Sequence, residues 1–155
     1  MSIATSLVQV VSRLMFERPV QALSLADIVV QLEISGGKLL SQLATSRDTP
    51  ANRELVCHIV GIERWSQRRL HVALGAAPVQ DEYDGYRPSQ TLSWDDLHAT
   101  FAAARQESIA LGNQLHANDV DPNMIVRHND LGLLSVRGWL RYMSLHASLE
   151  AKALK

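Results

Sequence analysis

His58 stands in one stretch of apolar, helically spaced residues, and His146 with Glu150 in another. Imidazole and carboxylate are the side chains that ligate divalent metals and move protons, so two helices that brought these faces together would build one site from three groups. His146 and Glu150 are four residues apart, which stacks both on the same side of a helix. A third ligand from a neighbouring helix would fix an ion in the groove between them. Three protein ligands leave coordination positions for water or substrate, the arrangement of a catalytic rather than a closed structural site. The same residues also have a plainer reading: His–Glu pairs at this spacing are common, and both histidines could be hydrogen-bonded core residues with Glu150 solvated.

The elements that must position these groups are helices. Leu7, Val10, Val11, Leu14 and Met15 follow helical spacing from Ile3 to about Phe16, and Pro19 stops the pattern. Ser24 with Asp27 resembles a capping box, after which Leu25, Ile28, Val29, Leu32, Leu39, Leu40 and Leu43 keep one face apolar through Thr45. Gly36 falls on that face, where a missing side chain lets a neighbour approach, and Gly36-Gly37 is the place for a kink. Thr49-Pro50 starts a run to Leu74, stopped by Gly75, whose face is Leu55, Ile59, Ile62, Trp65 and Leu70; His58 lies on it. Ser93 with Asp96 caps a run carrying Leu97, Phe101, Ala104, Ser108, Leu111 and Leu115. Ser135 caps the last helix, where Val136, Trp139, Leu140, Met143, His146, Ala147 and Glu150 share a face.

Between these runs, residues 75–93 and 118–134 read as irregular, the first long enough to let the next helix run parallel to its predecessor. No period-two alternation bounded by turns stands out, so the expected class is all-α: core helices near Leu25–Leu43, Ala51–Leu74, Trp94–Leu115 and Val136–Leu154, plus an additional N-terminal helix within residues 1–20. A chain of 155 residues with 46% hydrophobic content suits one domain, 1–155.

The formal net charge of −1, with scattered arginines, speaks against a nucleic-acid partner. No run reaches the ~18 apolar residues of a membrane span, and with a single cysteine, Cys57, the chain reads as cytoplasmic and reduced. Cys57 beside Val56 reads as a small core residue. His71, His98, His116 and His128 lie off the apolar seams and are expected in surface or loop roles. Apolar surface from Trp65, Trp139 and the N-terminal helix, beyond what one chain covers, predicts a homodimer.

Three stretches carry a resemblance. His58-Ile59-Val60-Gly61-Ile62-Glu63-Arg64-Trp65, then Tyr83-Asp84-Gly85-Tyr86-Arg87-Pro88 followed by Ser93-Trp94-Asp95-Asp96-Leu97 and Arg105, and finally Gly132 through His146 resemble, in order and spacing, the DinB-like (DinB/YfiT) family. The resemblance covers about Leu23 to Lys155. It implies a four-helix bundle with a long connection between its second and third helices, often dimeric, holding a divalent metal through a histidine of the second helix and a His-x-x-x-His pair of the last. His58 and His146 match the first two ligands. The third position is Glu150 where the pattern has histidine, a change in charge and softness that bears on whether zinc, nickel or manganese is retained.

Two functions follow. One is a metal-dependent enzyme, a transferase, isomerase or hydrolase, in which the ion lowers the pKa of a small-molecule thiol or of water. The other is a non-catalytic dimeric helical bundle that has lost the metal and serves a binding or stress-related role. The sequence names neither a catalytic residue nor a substrate.

Overall fold

The computed structural model describes residues 3–155, with side chains from Leu7 onward. Most of the chain is helical: α1 (Ile3–Ser12), α2 (Leu25–Thr45), α3 (Pro50–Leu70), α4 (Trp94–Ala117) and α5 (Val136–Glu150), with two short strands, β1 (Ile125–His128) and β2 (Gly132–Ser135), leading into α5. Each long helix starts where a side chain satisfies free backbone N–H groups of its first turn. Ser24 and Asp27 form a reciprocal capping box, and Thr49, Ser93 and Ser135 accept from the N–H groups of Asn52, Asp96 and Gly138. After α3 the chain tightens into a turn over His71–Leu74 and stops at Gly75, whose φ of 94° glycine adopts without steric cost.

The four long helices pack around two apolar layers. In one, Leu25–Leu32 of α2 meets Ile62–Leu70 of α3, Ile109–Leu115 of α4 and Val136–Met143 of α5. In the other, Leu39 and Leu43 meet Val56–Val60, Leu97–Ala104, Ala147 and Ala151. This pairing makes α3 and α4 parallel, as the long connection between them permits, with α2 and α5 running the opposite way. Arg105 and Ser108 of α4 and Ser144 of α5, buried and in neither layer, stand between the two apolar stretches of their helices.

Helix α2 is continuous through Gly36-Gly37. A Cβ at Gly36 would sit 2.7 Å from Cγ of Arg105, so the glycine makes room for that side chain. Trp65 and Trp139 are buried, so they supply no surface for a dimer and that part of the expectation falls. The segment expected to be irregular before α5 contains an antiparallel hairpin in which Val126 pairs with Leu134 and His128 with Gly132. Val126, His128 and Leu134 point inward; Ile125 and Leu133 point out.

The N-terminal helix lies on the outside of the four long helices. Its apolar stripe faces solvent, with Leu7 64%, Val11 40% and Leu14 52% exposed, while Ser12 and Phe16 are buried. Attachment comes instead from one aromatic and several polar contacts. Phe16 packs edge-on against Tyr142 at 5.5 Å, and the Ser12 hydroxyl donates to the Leu131 carbonyl at 3.0 Å. The Glu17 carboxylate accepts from the Ser135 N–H and hydroxyl at 2.7 and 2.6 Å, placing negative charge at the start of α5. Among the described residues no helix is long and apolar enough to cross a membrane.

Candidate metal centre

Helices α3 and α5 run antiparallel, with Trp65 and Trp139 meeting at 5.4 Å between centroids in one layer and Val56–Val60 facing Ala147 and Ala151 in the other. His58 and His146 stand opposite each other on this contact. Their Nε2 atoms are 3.2 Å apart, and Nε2 of His146 lies 3.8 Å from Oε1 of Glu150. The predicted trio therefore converges. Among the described residues it is the one group of three His, Cys, Asp or Glu whose candidate ligand atoms come this close, all within 4.8 Å of one another.

Ligand bonds of ~2.0–2.2 Å around one ion leave donor atoms roughly 3–4 Å apart. The His58–His146 and His146–Glu150 separations meet that requirement, and the Glu150 carboxylate, with its side chain 38% exposed in the last turn of α5, has room to close the rest. The residues fit a divalent ion.

Burial favours the ligating form of both rings. His146 is pushed down to about 4, first by burial and then by His58 and His128. His58 is also lowered by burial and by the Arg87 guanidinium, with Glu150 opposing. Both imidazoles are therefore neutral at pH 7, as metal binding requires.

The long connection after α3 covers this site. It is strapped to α3 by Trp65, whose indole N–H donates to the Asp81 carbonyl at 3.1 Å, and by Arg69, which pairs with the Asp81 carboxylate at 2.8 Å. A Cβ at Gly61 would collide with Arg87 and the Tyr83 backbone, so this glycine lets the connection lie against the helix. Tyr83 stands edge-on to His58 at 5.2 Å, and Arg87 is held by Glu54 at 2.7 Å and Asp84 at 2.9 Å. A guanidinium nitrogen of Arg87 then sits 3.5 Å from Nδ1 of His58. Arginine only donates, so this neighbour favours a lone pair on Nδ1 and the proton on Nε2, where it is shared with His146. An ion at Nε2 needs the other tautomer, and metal-binding histidines usually turn that second N–H toward an acceptor. Arg87 thus opposes binding while the residues around it permit it.

The remaining histidines divide. His71 and His116 are exposed, and His98 is half-buried against Trp94 at 4.6 Å. His128, expected at the surface or in a loop, is instead buried on the inner face of the hairpin: it stacks on Trp139 at 5.0 Å and meets Trp65 and Tyr142 edge-on. Its Nδ1 accepts from the N–H groups of Asp130 and Leu131 at 3.1 and 3.2 Å, so it shapes the turn. Cys57 is buried in the core, as expected.

Tyr83, Arg87 and Tyr142, whose ring lies 5.6 Å from that of His146, complete the surroundings. None was singled out for the site from the sequence. Tyr83 and Arg87 come from an irregular segment with no period to orient them, and Tyr142 is one of several aromatic residues near the last helical seam. Comparison of the chain with known protein families, with curated proteins and with solved structures found no match.

Proposed function

We propose that the chain is a DinB-like four-helix-bundle protein whose centre takes one zinc, nickel or manganese ion at His58, His146 and Glu150 and serves a metal-dependent reaction on a small molecule. The observation that carries this reading is the approach of three ligand-type side chains from two antiparallel helices to within 4.8 Å. A bound divalent ion supplies Lewis acidity, which lowers the pKa of a thiol or water to near neutrality. The chain's own residues do the rest. His58 and His146 offer neutral nitrogens, Glu150 adds a carboxylate at the open side, and Tyr83 and Tyr142 give aromatic walls near the two rings. Thiol transfer, isomerisation or hydrolysis on a small thiol-bearing substrate suits such a site, in a reducing cytoplasmic setting consistent with buried, unpaired Cys57.

A second reading has an observation of its own. The 3.2 Å His58–His146 contact pairs the two Nε2 atoms without an ion, and Arg87 stabilises the tautomer that makes it. In that reading the protein is a metal-free binding module with a stress-related role. Elemental analysis of protein purified without a histidine tag or added metal separates the two. The proposal expects close to one divalent ion per chain, whereas metal-free protein that stays inactive and empty after reconstitution supports the alternative.

A further inference from the structure

Between the N-terminal segment and the outer face of the hairpin runs a groove of about 800 Å³, within the ~300–1,000 Å³ range of sites that hold small molecules. Its two ends differ in character. The Ser12 hydroxyl on the Leu131 carbonyl marks one end, where Val10 and Leu14 line one wall and Leu131, Leu133 and Ile125 the other. Val10, Leu14, Ile125 and Leu133 are each more than half exposed, so these walls put apolar surface against solvent. At the other end Arg137 donates to the Gln21 carbonyl at 2.6 Å and reaches Asn123 at 3.4 Å, with Arg18 one turn before Gln21.

We infer that this groove binds a single-chain amphiphile with an anionic head, an alkyl carboxylate or alkyl phosphate, its head at Arg18 and Arg137 and its chain along Val10, Leu14, Ile125 and Leu133. Charge selects the head. Three arginines, Arg13, Arg18 and Arg137, line the groove against one carboxylate, Glu17, which already accepts from the Ser135 N–H and hydroxyl. None of the three arginines forms an ion pair among the described residues. In Arg137 the bonds to Gln21 and Asn123 use Nη1 alone, and Nε is buried without a hydrogen-bond partner. The Nε–Nη2 edge is therefore unclaimed, and that edge grips a carboxylate or phosphate through two parallel hydrogen bonds. The apolar walls select the tail. From Val10 to Arg18 the segment rises roughly 12 Å at helical spacing, the reach of a medium-length alkyl chain.

The attachment of the segment fits this role. Glu17 locks it onto the start of α5 and takes the space where a Gly138 side chain would stand, so the groove's two walls are held together between its ends. A lipid surface is the poorer source of such an amphiphile. Helices that lie on membranes carry a cationic polar face, whereas α1 has no charged residue from Ile3 to Ser12 and the arginines that follow it line the groove. The groove shares no residue with the His58, His146 and Glu150 centre, so the inference stands apart from the metal reading.

Calorimetric titration of the untagged full chain with dodecanoate and with dodecyl phosphate, each below its micelle-forming concentration, tests the inference. One molecule per chain is expected for at least one of them, with affinity falling roughly twofold for each CH2 removed, less than full burial would give because the groove is open along one side. Dodecyltrimethylammonium, with the same chain and the opposite charge, should bind roughly tenfold more weakly. Arg18→Glu and Leu133→Asp, both at exposed side chains, should each weaken binding about tenfold with unchanged helical circular dichroism, while His58→Ala binds as the parent does. Hydrogen exchange gives a readout that needs no variant: the amphiphile should slow exchange in residues 9–21 and 123–137. No saturable binding of either probe, equal binding of the cationic one, or an affinity that neither Arg18→Glu nor Leu133→Asp moves overturns the inference. So does co-sedimentation with anionic phospholipid vesicles by a chain that binds neither monomeric probe.

Discussion

Two polar groups are set among these helices, and they are built on opposite principles. At one, Arg105 forms a two-pronged pair with Glu63 at 2.7 and 3.0 Å and donates to the Leu32 carbonyl and the Ser35 hydroxyl, while Ser108 donates to Glu63. Gln67 joins through Ser108, and Ser144 through Ser35. Arg105 and Glu63 are 2% and 1% exposed, and every nitrogen of the guanidinium and both carboxylate oxygens are hydrogen-bonded within the protein. At the other, His58, His146 and Glu150 share a single 3.2 Å contact and one loose 3.8 Å pair at a partly open edge. A satisfied buried network fixes how helices register against each other. An under-satisfied cluster at an edge is free to bind. Chemistry is therefore assigned to the histidines and not to the more strongly charged pair.

The largest effect that sharpens this contrast comes from breaking the closed network. Glu63→Ala leaves the Arg105 guanidinium buried without its counter-ion and is expected to cost about 3–5 kcal/mol of stability, measured by urea unfolding. If the variant remains folded its affinity for zinc should be close to that of the parent. A loss below about 1 kcal/mol would mean that the pair is solvated and that the two regions do not differ in kind.

His128 lies between the two cases, buried like Arg105 but with its Nε2 unpartnered. Burial and Arg69 push it down from the usual 6.5 to about 4. The folded state then binds fewer protons than the unfolded one, so its contribution is fully present above pH 6.5 and is lost as the pH falls through about 4. Acidification across that window should remove on the order of 3 kcal/mol through this residue. In His128→Phe, the dependence on pH between 6.5 and 4 should flatten even though stability at pH 7 falls from two orphaned N–H groups. An unchanged slope would count against the assignment.

These contrasts mark what could be read in advance. The faces of α2, α3, α4 and α5 were legible because each begins at a capping hydroxyl and keeps three-and-four spacing, and His58, His146 and Glu150 fell on those faces. The hairpin was not, since each strand has only four residues and its inner face includes His128, which counts as polar in a pattern but is buried by stacking among Trp65, Trp139 and Tyr142. Helix α1 was legible as a helix apart from the four core runs, but the contacts of Ser12, Phe16 and Glu17 that hold its segment to the hairpin and α5 leave no periodic trace. Arg87 reaches His58 from an irregular connection whose path depends on Gly61 and Trp65 rather than on local spacing.

Smaller effects tune the open cluster. Arg87→Gln removes a positive charge beside His58 and offers an oxygen that can accept its Nδ1–H, so divalent-ion affinity should rise roughly tenfold. Weaker binding would show that Arg87 supports the site instead of opposing it. Glu150→His replaces a hard carboxylate with a softer imidazole and should strengthen nickel and zinc binding by about tenfold while favouring manganese less; competition titration with a metal indicator reads the order, and an unchanged preference would place Glu150 outside the ligand set.

Calorimetric titration of the untagged full chain with zinc, nickel and manganese at pH 7 tests the centre most directly. One ion per chain is expected for at least one of the three metals, with binding abolished in His58→Ala and the protein still folded. No heat of binding with any of the three, or binding that His58→Ala leaves intact, would contradict the assignment of His58, His146 and Glu150 as a metal centre.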